Sequence, residues 1–218
     1  MANRPVYIPL TQPPFFREVS IEFVYNSGFA VCQKRKNIEA IHNAFGQQYP
    51  HSKILEISSK SLQPLGVSMS AFFLMKQIPS LGHSVPVESA YHGAKKFEQG
   101  GPYPDLYHVF PREAKRDPRL NTSGPMCAFT FEGVDYPLEP THGFYNWLYI
   151  QALQENRELV EQVLAYDAFT DIEYNPRKSL NCQARAAAVF VGMMKAGLVD
   201  ELNDFHTFCH LTSEGAGC

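Results

Sequence analysis

The sequence lacks a cysteine framework, a strong excess of charge of either sign and any long apolar run, and each lack removes a class of function. Its five cysteines, Cys32, Cys127, Cys182, Cys209 and Cys218, are odd in number and widely spaced. This fits neither a disulfide scaffold nor a CxxC metal pair and points to a reducing cytoplasm. A formal charge of −3 and a pI near 6.2 leave no global field for sequence-independent duplex binding, so contact with nucleic acid is expected at a pocket. No stretch approaches the ~18 apolar residues of a membrane span, and the first twelve residues carry Arg4 but no apolar leader core. The chain reads as soluble and unexported, with no membrane partner. There is no GxGxxG or Walker run, and His206, Cys209 and His210 have no second ligand cluster. Neither a nucleotide cofactor nor a metal is expected.

What is present is ordinary globular material. The 218 residues, 44% hydrophobic and 19% charged, suffice for one core. A single domain over 1–211 is expected, followed by a small polar tail, 212–218, that frays. Alternating Val19, Ile21, Phe23 and Tyr25 predict a strand, and Asn26-Ser27-Gly28 a turn into a hairpin partner at 29–32. Ile38, Ile41 and Phe45 recur at helical spacing up to Gly46, and 53–58 reads as a short strand. Pro86–Gln99 reads as a helix with proline in its first turn and Gly100-Gly101 past its end. Met126–Phe131 and Val134–Leu138 read as a hairpin, 144–153 and 157–166 as helices, the second capped by Asn156, and Leu180–Ala196 as an alanine-rich helix. Without regular βαβ alternation, this predicts an α+β fold with more helix than strand and a small β-sheet.

The segment Val87–Phe97 is the most informative. At about 100° per residue, Val87, Ala90, Ala94 and Phe97 form a core stripe, and Glu88, Tyr91, His92 and Lys95 the stripe beside it. Glu88 and Lys95 then point within about 20° of one another, roughly 10 Å apart along the axis. An acid and an amine can thus converge on one bound molecule. The helix dipole selects the same placement on any solvated face, so spacing alone leaves both readings open.

This segment resembles the signature helix of the NADAR family, P-x-x-E-x-x-x-Q-x-x-K-F, whose glutamate and lysine are matched by Glu88 and Lys95. Ser70-Ala71-Phe72 is similar to the family's upstream serine and phenylalanine motif, and Ser179-Leu180-Asn181 to its late asparagine motif. Stretches over 53–66, 87–107, 112–124, 129–153 and 166–188 resemble NADAR proteins encoded beside guanine-specific DNA ADP-ribosyltransferase toxins of the DarT group. The run Tyr166–Glu173 is specific to that branch. Two departures stand out: the family's glutamine is His92, and its glycine-rich run before the late asparagine is replaced by Asn175-Pro176-Arg177-Lys178. Base recognition therefore transfers less well than the catalytic pair.

The resemblance implies one compact NADAR (YbiA-like) domain. It also implies a cytoplasmic antitoxin that cleaves the N-glycosidic bond between ADP-ribose and guanine in DNA. ADP-ribosylated guanine is then the substrate, ADP-ribose the product and the cognate toxin a further partner. Such a cleavage needs a proton on the leaving nitrogen and stabilisation of charge at the anomeric carbon. Glu88 is the candidate general acid and base. Lys95 is either a nucleophile forming a Schiff base with the opened ribose or an electrostatic ligand. Asp171 can stabilise the cationic intermediate, hold Lys95, or serve as a turn residue.

For substrate binding, the motifs supply Ser70, Phe72 and His92. Gly100 and Gly101 can bring backbone N–H groups to a phosphate, or simply cap a helix. Tyr91, Tyr103 and Trp147 offer faces to adenine or guanine, although aromatics at such spacing are more often core. Asn181 and Arg185 lie one helical turn apart, and Arg185 suits a diphosphate or a structural ion pair. The run Arg112, Lys115, Arg116 and Arg119 reads as a solvated face, with contact to DNA backbone the lesser reading. Two rival functions remain: an N-glycosidase of ribosylated pyrimidine intermediates of riboflavin synthesis, and a non-catalytic immunity protein that binds the toxin.

Overall fold

Alanine shapes the centre of the molecule. In the computed structural model, which describes residues 1–175 and 181–213, the alanine-rich segment forms a helix from Gln183 to Lys195 with Ala184, Ala186, Ala187 and Ala188 fully buried. Short side chains let this helix approach a second buried helix, Gly143–Gln154, on one side and the N-terminal strand on another. At Gly192 the approach is closest: an added Cβ would lie 2.4 Å from the carbonyl oxygens of Leu10 and Phe15.

In chain order the strands of the main sheet are β1 (Ala2–Pro9), β2 (Phe16–Phe23), β3 (Ile54–Glu56) and β9 (Ala168–Thr170), arranged β2-β1-β9-β3. β1 and β2 are antiparallel, Ala2 opposite Phe23, and β3 runs parallel to β9 with Glu56 opposite Thr170. Helix α1 (Val31–Gln48) covers this sheet by packing Ile38, Ile41 and Phe45 on Val6, Ile21 and Phe23. Burial of each such side chain stabilises the fold by about 1.5–3 kcal/mol. A ribbon of β4 (Met75–Ile78) and β5 (His83–Pro86) runs straight into α3 (Val87–Gly93). Next comes β6 (Lys95–Phe97), paired with β7 (Met126–Phe131), itself paired with β8 (Val134–Tyr136). Between β6 and β7 lie the short helices α4 (Pro111–Ala114) and α5 (Arg119–Thr122). The remaining helices are α2 (Pro64–Ser68), the two central ones, now α6 and α8, and α7 (Arg157–Val163) and α9 (Phe205–Thr212).

The architecture is α+β, as the sequence predicts, but four local readings are corrected. The segment 86–99 is not one helix: α3 stops at Gly93, and Lys95 begins a strand. The partner of β2 is not 29–32, which leads into α1, but β1, whose Pro5 and Pro9 mask the strand pattern. Gly46 lies inside α1 rather than at its end. Asn156 precedes α7 but does not cap it, because its side chain donates to the Ala152 carbonyl of the preceding helix at 2.7 Å. Within the tail expected over 212–218, Thr212 still closes α9, and 214–218 lie outside the described residues.

Candidate active site

Why α3 ends where it does sets the geometry of the candidate pair. An added Cβ at Gly93 would lie 2.3 Å from the Tyr107 ring, so only glycine permits the crossing there. The Ala94 carbonyl then accepts the Thr130 N–H at 2.7 Å, and Lys95 pairs opposite Phe129 on β7. Long-range strand pairing thus overrides the local helical pattern. Successive strand side chains face opposite ways. Lys95 turns inward, its Nζ 4.9 Å from the centre of the Tyr91 ring, while Lys96 turns out to pair with Asp135 at 2.8 Å.

Glu88 is buried on α3, its carboxylate receiving His92 Nε2 at 3.3 Å and Lys115 Nζ at 3.0 Å. Burial pushes the carboxyl up, but the His92 hydrogen bond and the Lys115 charge outweigh it and bring the pKa down to about 2. A carboxylate only accepts, so the His92 proton sits on Nε2. His92 Nδ1 is then a buried acceptor without a partner. Burial also depresses Lys95, to about 8; Glu88 opposes this and Lys115 reinforces it. Among the described residues Lys95 forms no ion pair.

A polar row leads away from Lys95. Tyr91 packs against Phe129, Phe144 and Tyr145, and the Asn181 side chain lies close enough to both Tyr91 and His142 to influence their titration. Beyond stands Arg185, whose Nε and Nη2 are buried with no hydrogen-bond partner. Arg185 makes no ion pair among the described residues, so the structural pairing weighed for it is not found. Buried guanidinium N–H groups without an acceptor are costly, and an anionic ligand would complete them.

Asp171 is brought to a different group. Its Oδ1 accepts the N–H groups of Glu173 and Tyr174 at 3.0 and 3.2 Å, the geometry of a turn residue. Burial and the neighbouring Glu56 push its carboxyl well above the usual range, whereas the charges acting on Lys95 are Glu88 and Lys115. Glu56 is itself buried, accepting Thr170 Oγ1 at 2.6 Å and Ile172 N–H at 2.8 Å. Ser70-Ala71-Phe72 is a junction: the Ala71 carbonyl accepts the Glu88 N–H, and the Ala71 N–H donates to Gln183 at the start of α8. Ser70 is buried and Phe72 partly so.

Other candidates lie apart from this row or are already engaged. Gly100 closes a turn by accepting the Phe97 N–H, and Gly101, at φ 80°, is pressed on the Lys95 carbonyl. Both therefore shape the backbone of β6 and are not a helix cap. Tyr103 has Arg119 over its ring at 4.4 Å and its hydroxyl on Ser123. Trp147 is buried, its ring packed on Tyr136 and Phe205. Ser179, Leu180 and the run Pro176–Lys178 lie outside the described residues.

Sequence reasoning missed Lys115, Glu56 and His142. Lys115 sat in a run read as solvated, and its contact with Glu88 spans 27 residues. A cleft of about 420 Å³ beside Phe73, Met75 and Asn156 and another of about 340 Å³ beside Arg17, His51 and Lys195 are not lined by these groups. The site is marked by its chemistry.

A family model described as DarT1-associated NADAR antitoxin matches residues 2–217. No curated protein matches the chain.

Proposed function

The chain belongs to the DarT1-associated NADAR antitoxins, and from that premise we propose that it hydrolyses the bond joining ADP-ribose to a guanine nitrogen in DNA. The observation that carries this reading is the inward Lys95, without an ion pair among the described residues and beside the ionised Glu88. At a pKa of about 8, about one molecule in ten holds a free amine at pH 7, against well under 1% for an ordinary lysine. That is enough for a nucleophile.

Lys95 nitrogen attacks the anomeric carbon, a new C–N bond forms and the bond to guanine breaks. The proton displaced from the attacking amine passes to the Glu88 carboxylate and on to the departing guanine nitrogen. The ribose opens to a Schiff base on Lys95, which water hydrolyses to free ADP-ribose and the restored amine. Glu88 therefore starts as a base and returns its proton as an acid. Lys115 and His92 keep it ionised between turnovers. Arg185 supports the reading as the partner of the diphosphate, whose charge would complete its unpaired guanidinium. Asp171 acts from its turn as a support for the loop beside the site.

Mass measurement after incubation with guanine-ADP-ribosylated DNA tests the reading. Release of ADP-ribose with unmodified guanine left in the strand is expected. An unaltered adduct after prolonged incubation with folded protein contradicts it.

A further inference from the structure

We propose that the exposed face made by Phe110, Arg112, Lys115 and Arg116 is the track along which a single strand of DNA passes Glu88, with Phe110 stacking on a base beside the modified guanine. This rests on reading the chain as a hydrolase of ADP-ribosylated DNA.

The local chain builds this face. Pro111 and Ala114 of α4 are buried and anchor it to the domain. Arg112, Lys115 and Arg116, at i, i+3 and i+4 of the same continued turn, share the opposite face and are all exposed. Phe110, immediately before the helix, is 77% exposed. An isolated exposed apolar residue is ordinary. This ring instead has three cations within six positions and Glu113 as the one acidic residue between.

Two observations tie the face to the site and to a ligand. Lys115 Nζ lies 3.0 Å from Glu88 Oε1 while its side chain stays 58% exposed, so the patch ends on the candidate catalytic carboxylate. Arg112 and Arg116 form no ion pair among the described residues, whereas the next cation, Arg119, is consumed by Asp105 and Asp117. In a chain of net charge −3, this local set of unpaired cations beside an exposed aromatic is what a strand of phosphates and unstacked bases complements. A duplex hides its base faces and offers Phe110 nothing to stack on, so the single strand is favoured.

The test compares wild type, Phe110→Ala and the double variant Arg112→Gln/Arg116→Gln. Lys115 is left alone because it holds Glu88. Anisotropy of a labelled, unmodified single-stranded oligonucleotide is read across salt concentration, together with turnover of an ADP-ribosylated oligonucleotide and of ADP-ribosylated guanosine. Phe110→Ala is expected to weaken oligonucleotide binding roughly tenfold, the scale of one lost stacking contact. The double variant should reduce the slope of log affinity against log salt by about 1.4. In both, KM for the oligonucleotide rises while turnover of the nucleoside stays at the wild-type level. Variants that bind the strand as wild type does overturn the proposal, including a case in which they lose a DarT1-type toxin instead. Equal loss on nucleoside and oligonucleotide also overturns it. Wild type that turns over neither substrate overturns the hydrolase reading, and anisotropy then decides the surface by itself.

Discussion

A lysine attacks carbon only as a free amine, so the surroundings of Lys95 set the pH at which the proposed chemistry runs. Its folded pKa is lowered to about 8, and the uncharged form grows as pH rises. The rate of a single-turnover assay should rise tenfold per pH unit below 8 and level off above it. Glu88, held down to about 2, is ionised throughout and should add no acid limb between pH 4 and 7. Lys115→Met removes a positive charge that depresses both groups, so the inflection should move above 8, whereas a merely structural loss lowers the rate without moving it. Glu88→Gln should reduce turnover by roughly 100-fold or more. Near-normal turnover in that variant would return Glu88 to a helix-end role.

At the level of elements, the site was legible only where sequence pattern and structure are both local. The hairpin of β7 and β8 reads directly, because Glu132 and Gly133 at φ 49° and 78° make the tight turn that fixes its register. The burial of Ala184, Ala187, Ala188 and Val191 follows from their composition and spacing. The strand at Lys95 does not read, since its partner Phe129 lies far along the chain, and Lys115 and Glu56 stay hidden for the same reason.

Gly101 is where that non-local geometry can be broken. An added Cβ would sit 2.3 Å from the Lys95 carbonyl, at a φ of 80°. Gly101→Ala should cost about 1–3 kcal/mol in denaturant unfolding and reduce turnover by displacing β6. Unchanged stability with full activity would show that β6 tolerates the shift. Glu56 joins β3 to the Asp171 loop, and Glu56→Ala leaves the buried Ile172 N–H without its acceptor, at about 1–3 kcal/mol, while the Thr170 hydroxyl keeps His42 Nε2 at 3.0 Å. Burial, above all, raises the Glu56 carboxyl. Its contribution is thus fully present below the unfolded value and lost as pH rises through the folded one. Glu56→Gln should flatten this fall in stability with pH, and an unchanged pH dependence would contradict the assignment.

Across the whole molecule, the candidate groups come from segments scattered between Glu56 and Arg185, and the core brings them together. Tyr149 on α6 bonds the Met69 carbonyl, and Gln183 on α8 bonds both Ala71 and Ile57, so the two central helices hold the loops that flank Glu88 and Asp171. Among the described residues no helix is long and apolar enough to cross a membrane. The chain belongs to the DarT1-associated NADAR antitoxins, and with a net charge of only −3 the proposed DNA substrate would have to be held at one local site rather than by a global field. The proposed chemistry centres on the Lys95 amine. Borohydride added during turnover of guanine-ADP-ribosylated DNA should trap protein one ADP-ribose heavier, with the mass on the peptide containing Lys95 and none trapped in Lys95→Arg. Full turnover by wild type with nothing trapped, together with substantial activity in Lys95→Arg, would contradict it.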